Sequence, residues 1–138
     1  MNLVFMDTVG LLALWNASDQ WHKAATTAFV AIDQNQTALV TSAFILLECG
    51  NAAARSSIRE KVSQARSEWE LAGMLIWPTN EDWSNGWSAY QRGEASFAGI
   101  VDHISFVTMR RLGISKHSQM IITIEQQDLK YCSDEIYL

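Results

Sequence analysis

The chain opens on an unbroken apolar run, Leu3-Val4-Phe5-Met6, that stops at Asp7-Thr8. Four apolar residues closed by a carboxylate and a hydroxyl predict a buried strand that delivers both groups to its C-terminal end. Leu11, Leu12 and Leu14 then predict a short helix over 8–15. A polar break follows at Asn16-Ala17-Ser18-Asp19, where Ser18 or Asp19 suits a helix N-cap. Beyond it Trp21, Ala24, Ala25, Ala28, Phe29 and Ile32 recur at helical spacing. Ala38-Leu39-Val40-Thr41 predicts a second strand, and Thr41 or Ser42 can cap a helix over 43–55. Ser57-x-x-Glu60 has the form of a capping box, ahead of a helix with Ile58, Val62, Ala65, Trp69 and Ala72 on one stripe.

Residues 74–77 predict a third strand, closed by Pro78. Thr79-x-x-Asp82 caps the next helix, whose pattern assigns Trp83, Trp87 and Tyr90 to the buried side. Gly99 precedes a helix to Leu112, and Gly113 stands at its expected C′ position. A fourth strand is predicted over 119–123, then a helical turn and an edge strand at Ile136-Tyr137-Leu138. Strands alternating with helices predict an α/β fold, a three-layer α/β/α sandwich around a mainly parallel sheet. No linker or repeat divides the chain, so a single domain over residues 1–138 is expected.

Composition narrows the function. At 138 residues, 49% of them hydrophobic, the chain can bury the core of one globular domain. No apolar run approaches the length of a membrane span. Asp7 interrupts the first apolar run and no basic region precedes it, which argues against a signal peptide. Cys49 and Cys132 lie in no metal-binding spacing, and two free thiols in a reducing cytoplasm are expected. A net charge of −5 gives little attraction for nucleic acid, so a polyanionic substrate would need basic patches or bound cations.

Three acids stand in apolar segments, where a lone charge is costly. Asp7 ends the first strand; its plain alternative is a helix cap. Glu48 sits in Phe44-Ile45-Leu46-Leu47-Glu48-Cys49, with a buried pair to Arg55 as its alternative. Asp102 falls in the first turn of its helix, where the dipole alone favours a negative charge. Glu125 and Asp128 follow the fourth strand and reach the same sheet edge as Asp7 if that sheet is parallel. His22, His103 and His117 form no zinc spacing, and His103 points about 100° away from Asp102 on the helix. There is no P-loop, dinucleotide fingerprint or nucleophile elbow. Oxygen ligands without His or Cys select Mg²⁺ or Mn²⁺, which suits phosphodiester hydrolysis through a metal-activated water. Thr8 is placed to fix Asp7 or a water. Arg55, Arg59, Lys61, Arg66, Arg110, Arg111, Lys116 and His117 are candidates for a substrate backbone, or simply solvated surface charges.

With the acids in order, the chain resembles the PIN-domain family, especially the VapC-type toxins of bacterial toxin–antitoxin pairs. The resemblance runs from Val4-Phe5-Met6-Asp7-Thr8 through Asp19-x-Trp21-His22-x-Ala24-Ala25 and Leu39-Val40-Thr41-Ser42 to Leu46-Leu47-Glu48. It is densest from Ile100-Val101-Asp102 to Leu112-Gly113-Ile114. It implies a Mg²⁺- or Mn²⁺-dependent ribonuclease acting on RNA, dimeric and cytoplasmic, and held inactive by an antitoxin. By motif, Asp7, Glu48 and Asp102 are the first three acids of the metal site. The fourth position departs from the family: Thr123-Ile124-Glu125 replaces the usual Thr-x-Asp, and the following His-Phe pair is missing. A PIN-like module that acts by protein or RNA binding is therefore the second reading. Haloacid dehalogenase phosphatases also start with a strand ending in Asp, but they need a second Asp where Val9 stands.

Overall fold

A computed structural model describes residues 3–34 and 37–114 and the backbone of residues 119–120. The elements are β1 (Leu3–Met6), α1 (Thr8–Trp15), α2 (His22–Gln34), β2 (Ala38–Ser42), α3 (Ala43–Ala53), α4 (Arg59–Leu71), β3 (Leu75–Ile76), α5 (Asn80–Gln91), α6 (Ile100–Arg111) and β4 (Gln119–Met120). The strands form a parallel sheet of order β3-β2-β1-β4. Leu3 lies opposite Ala38 and Phe5 opposite Val40, while Phe5 and Met6 face Gln119 and Met120 on the other side.

Chain order fixes the layers. Parallel neighbours need crossover connections, and these are almost always right-handed. Stepping from β1 to β2 to β3 puts α1 to α4 on one face. The return from β3 past β1 to β4 puts α5 and α6 on the other. This is the α/β sandwich that the sequence predicts. The chain reverses its direction of travel at β1, and in open parallel sheets ligands bind beyond the strand C-termini at such a switch point. Asp7 follows β1 there.

Packing follows the expected stripes in part: Ala25 and Ile32 of α2 and Val62 of α4 are buried, whereas Phe29 and Ala72, expected on the same stripes, are exposed. Phe5, Met6, Leu11, Ile45, Cys49 and Met109 are almost fully buried in one core. Trp69 on α4 donates its indole N–H to the Leu39 carbonyl of β2, 3.1 Å away, and stacks obliquely against Trp15 of α1. Thr41 donates to the Met6 carbonyl at 2.8 Å, a buried bond that ties β2 to the end of β1. Gly113, at φ +65, closes α6 in the left-handed conformation expected of C′.

Three expectations are corrected. The Ser57 capping box does not form: α4 begins after Ile58 without a side-chain cap, and the Ser56 hydroxyl accepts the Ile58 N–H instead. α3 ends at Ala53 and β3 is only two residues long. The third correction concerns α5. The Thr79–Asp82 capping box is present, but the buried side of this helix is Asp82, Gly86 and Ala89. Trp83, Trp87 and Tyr90 are 49%, 40% and 48% exposed.

The reason lies in the α5–α6 contact. A Cβ on Gly86 would sit 2.5 Å from Ile104 Cγ1 and 2.9 Å from its Cα, so the two backbones meet where only hydrogen fits. An indole on that side would drive the helices apart. Asp82 is tolerated inside because Arg111 meets it with two parallel bonds, Nε to Oδ1 at 3.0 Å and Nη2 to Oδ2 at 2.8 Å. Thr108 adds a third at 3.2 Å. Burial alone would raise the Asp82 carboxyl, but these donors and the Thr79 amide outweigh it and hold it below the usual range. Among the described residues, no helix is long and apolar enough to cross a membrane.

Candidate metal centre

Asp7 stands at the switch point, and two of the other predicted acids, Glu48 and Asp102, lie near enough to act on its carboxyl. Asp7 is the N-cap of α1, its Oδ1 accepting the Gly10 N–H at 2.8 Å. Gly10 permits this approach, since a Cβ there would lie 3.2 Å from that same oxygen. Glu48, in the middle of α3, accepts the Thr8 hydroxyl at 2.7 Å through Oε1. Asp102, at the third position of α6, reaches back through Oδ2 to the Gly99 N–H at 2.9 Å. Each acid thus commits one oxygen to a single local donor, which orients the carboxylate.

The plain alternatives resolve differently for the three. Asp7 does cap α1, as a capping aspartate should, and Asp102 does serve the first turn of α6. Glu48 takes the hydroxyl of Thr8 as its partner instead of a guanidinium. Thr8, expected to fix Asp7 or a water, fixes Glu48.

Electrostatics links the three acids. Burial pushes the Asp7 carboxyl up to about 7, and the charges of Asp102 and Glu48 push in the same direction against the lowering effect of the Gly10 hydrogen bond. The Cys49 thiol rises to about 12, first through burial and then through Glu48 and Asp7. It is a buried, free and unreactive thiol.

The donor chemistry fits a hard divalent cation: carboxylate oxygens only, with burial first and the neighbouring acids after it raising the Asp7 carboxyl. The acids do not form a finished cage. Among the described residues, no group of three or more His, Cys, Asp or Glu side chains is close enough to hold an ion. Two cavities, of about 520 and 250 Å³, are lined by other residues and contain none of the three acids. Glu125 and Asp128, the candidates for a fourth acid, lie outside the described residues, as do Lys116, His117 and Cys132 and the elements expected beyond 120.

Several candidate basic residues are already engaged. Arg111 is committed to Asp82, which removes it from the substrate-contact set. Arg66 pairs with Glu70 one turn along α4, and Lys61 donates to the Trp15 carbonyl. His103 is buried and packs edge-on against Tyr90 and Phe106, a structural histidine. The Asp82–Arg111 clamp was not read from sequence. Its signal was an acid at N3 of one helix and an arginine in the last turn of the next.

No protein-family model and no curated protein matches the chain. The fold is a parallel sheet of order β3-β2-β1-β4 between helical layers, with an acid after β1 at the switch point. Among solved structures, VapC20 of Mycobacterium tuberculosis, a toxin that cleaves the sarcin-ricin loop, is similar. The likeness covers 80% of this chain and 84% of that one, at a TM-score of 0.67 and 24% sequence identity. At that identity it establishes the shared fold.

Proposed function

We propose that this chain is a metal-dependent endoribonuclease of the PIN toxin type, a cytoplasmic hydrolase inhibited by a cognate antitoxin. The observation that carries the proposal is the meeting of Asp7, Glu48 and Asp102 in one electrostatic field at the switch point of a PIN-like fold. In this reading Asp7, Glu48 and Asp102, joined by Glu125, hold Mg²⁺ or Mn²⁺, directly or through water. The bound cation supplies an activated water and stabilises charge on the phosphate oxygens. A cation beside Asp7 would favour the ionised form of its buried carboxyl. Thr8 holds Glu48 toward the start of α1, so that its carboxylate need not be ordered when the metal arrives. In the same reading RNA is the substrate class and the chain acts as a single domain over residues 1–138. A homodimer, the assembly implied by the family resemblance, belongs to the same proposal.

The experiment is cleavage of structured RNAs by purified protein with Mg²⁺ or Mn²⁺, beside Asp7→Asn. A sarcin-ricin loop RNA is one substrate, on the strength of the VapC20 likeness. Metal-dependent cleavage that the variant loses supports the proposal. Equal cleavage by both proteins, or none by wild type shown free of antitoxin, overturns it. The second reading, a binding module of the same fold, is motivated by the departure of Thr123-Ile124-Glu125 from the family's fourth motif and by the net charge of −5. Under that reading millimolar Mn²⁺ leaves the melting temperature unmoved. A rise in wild type but not in Glu48→Gln supports the enzyme.

A further inference from the structure

The smaller of the two cavities, about 250 Å³, lies between α1, α2, β2 and α4, and none of Asp7, Glu48 and Asp102 lines it. Three of its walls are aromatic: Trp15 of α1, Phe29 of α2 and Trp69 of α4, with Leu11 and Leu39 among the apolar remainder. The two indoles meet at a tilt of 51° with ring centres 6.3 Å apart, so they form adjoining walls instead of a flat stack. Both are held in place. Trp69 donates its N–H to the Leu39 carbonyl at 3.1 Å, and the Trp15 carbonyl accepts the Lys61 amine at 3.0 Å.

One charged side chain joins this lining, and it is an acid, Glu68. Glu68 is exposed as well as part of the lining, which puts it at the mouth, and Phe29, 39% exposed, stands there too. The Glu68 Oε1 accepts the Gln64 side-chain amide at 2.8 Å. That bond orients the carboxylate and leaves Oε2 without a partner among the described residues. Neighbouring bases of α4 are engaged elsewhere, Lys61 on the Trp15 carbonyl and Arg66 on Glu70.

We propose that this cavity binds a small alkylammonium cation, its head against the rings of Trp15, Trp69 and Phe29 and its charge balanced by Glu68. Ring chemistry is the first argument. The face of an aromatic ring is negative, indole attracts a cation most strongly, and the attraction grows where water is excluded. Charge is the second. An anion would meet Glu68 and no cation in the lining, while a neutral apolar ligand would leave the carboxylate unused. Size is the third. Drug-sized ligands occupy sites of about 300–1,000 Å³, so a cavity of about 250 Å³ takes a smaller molecule. A primary ammonium is a compact and strongly hydrated charge, costly to strip of water, whereas a methylated head offers apolar surface to the rings. The site stands apart from the ribonuclease reading and does not depend on it.

The test titrates the purified chain with choline, followed through its indole N–H signals by nuclear magnetic resonance. A second titration uses dimethylbutanol, the neutral isostere in which carbon replaces the nitrogen. Glu68→Gln and Phe29→Leu are compared with wild type. Neither substitution removes a bond that holds the indoles, and both positions are exposed. Far-ultraviolet circular dichroism checks folding, and either variant decides the matter should the other fail to fold. Choline is expected to shift indole signals saturably and to bind roughly tenfold more tightly than the alcohol, with each variant weakening it about two- to thirtyfold. No saturable shift at millimolar choline overturns the proposal. Equal binding of choline and the alcohol overturns it as well, leaving a merely apolar cavity. Folded variants that bind choline as wild type does overturn the assignment of these residues. The ribonuclease assay is read separately from all of these outcomes.

Discussion

Replacing Asp7 by asparagine removes a carboxyl whose ionisation the fold resists, while keeping a side-chain oxygen to cap α1, because the two residues cap about equally well. Burial, with Asp102 and Glu48 adding to it, raises this carboxyl from 3.8 to about 7. Below pH 4 the group is protonated in both folded and unfolded chains and contributes no difference. Between 4 and 7 the unfolded chain releases the proton and the folded one keeps it, so stability falls as pH rises. Above 7 the loss is complete. At about 1.4 kcal/mol per pH unit its ceiling is about 4 kcal/mol. Asp7→Asn is exempt, so it should be more stable than wild type at pH 8 by about 2–4 kcal/mol, roughly 6–15 °C in Tm for a chain of this size. The two proteins should melt together at pH 3.5. Thermal denaturation at both pH values measures this directly. Saturating Mn²⁺ at pH 8 should raise wild type selectively and narrow the gap, since a cation beside Asp7 removes the penalty. A gap of equal size at both pH values, or a variant less stable than wild type at pH 8, would refute the electrostatic reasoning.

Gly86→Ala gains helix propensity on α5 but drives a methyl into the Cα and Cγ1 of Ile104; a net loss of about 1–3 kcal/mol is expected in urea denaturation, and a stabilised variant would mean that the two helices do not approach so closely. Arg111→Met leaves Asp82 buried without its bidentate partner, so the variant should be less stable than wild type near neutral pH. Because the Asp82 carboxyl is held low in the fold, that contribution is present above about pH 4 and fades as acid protonates it, so unfolding curves of variant and wild type should converge on acidification.

The local grammar of the chain was legible without coordinates. β1 and α1 occupy the predicted residues because an apolar run ended by a capping aspartate leaves little alternative, and the Thr79–Asp82 box forms because both partners lie within one turn. Gly113 ends α6 for the same kind of reason, a conformation that suits a residue without Cβ. Three acids in apolar segments led to the expectation of a shared site, since isolated carboxylates there would be costly, and the fold brings Glu48 and Asp102 near enough to Asp7 to act on its carboxyl. The Ser57 pattern shows the limit of such grammar: Ser56, one residue earlier, offers its hydroxyl to the same turn.

The tertiary structure decided which of two helical stripes on α5 turns inward. Both Trp83-Trp87-Tyr90 and Asp82-Gly86-Ala89 have helical spacing, and hydrophobicity alone selects the aromatic one. The choice went the other way because α6 comes close enough to require a glycine, and because Arg111 and Thr108, nearly thirty residues further on, satisfy the buried carboxylate. The partner of Glu48 was hidden for a like reason, as Thr8 lies forty residues away and meets it only when α1 and α3 pack. Periodicity and capping act within a turn or two and can be read from the chain. Close approach of backbones and the pairing of buried charges depend on segments far apart in sequence, and these determined both the electrostatics of the acid site and the aromatic face left to solvent.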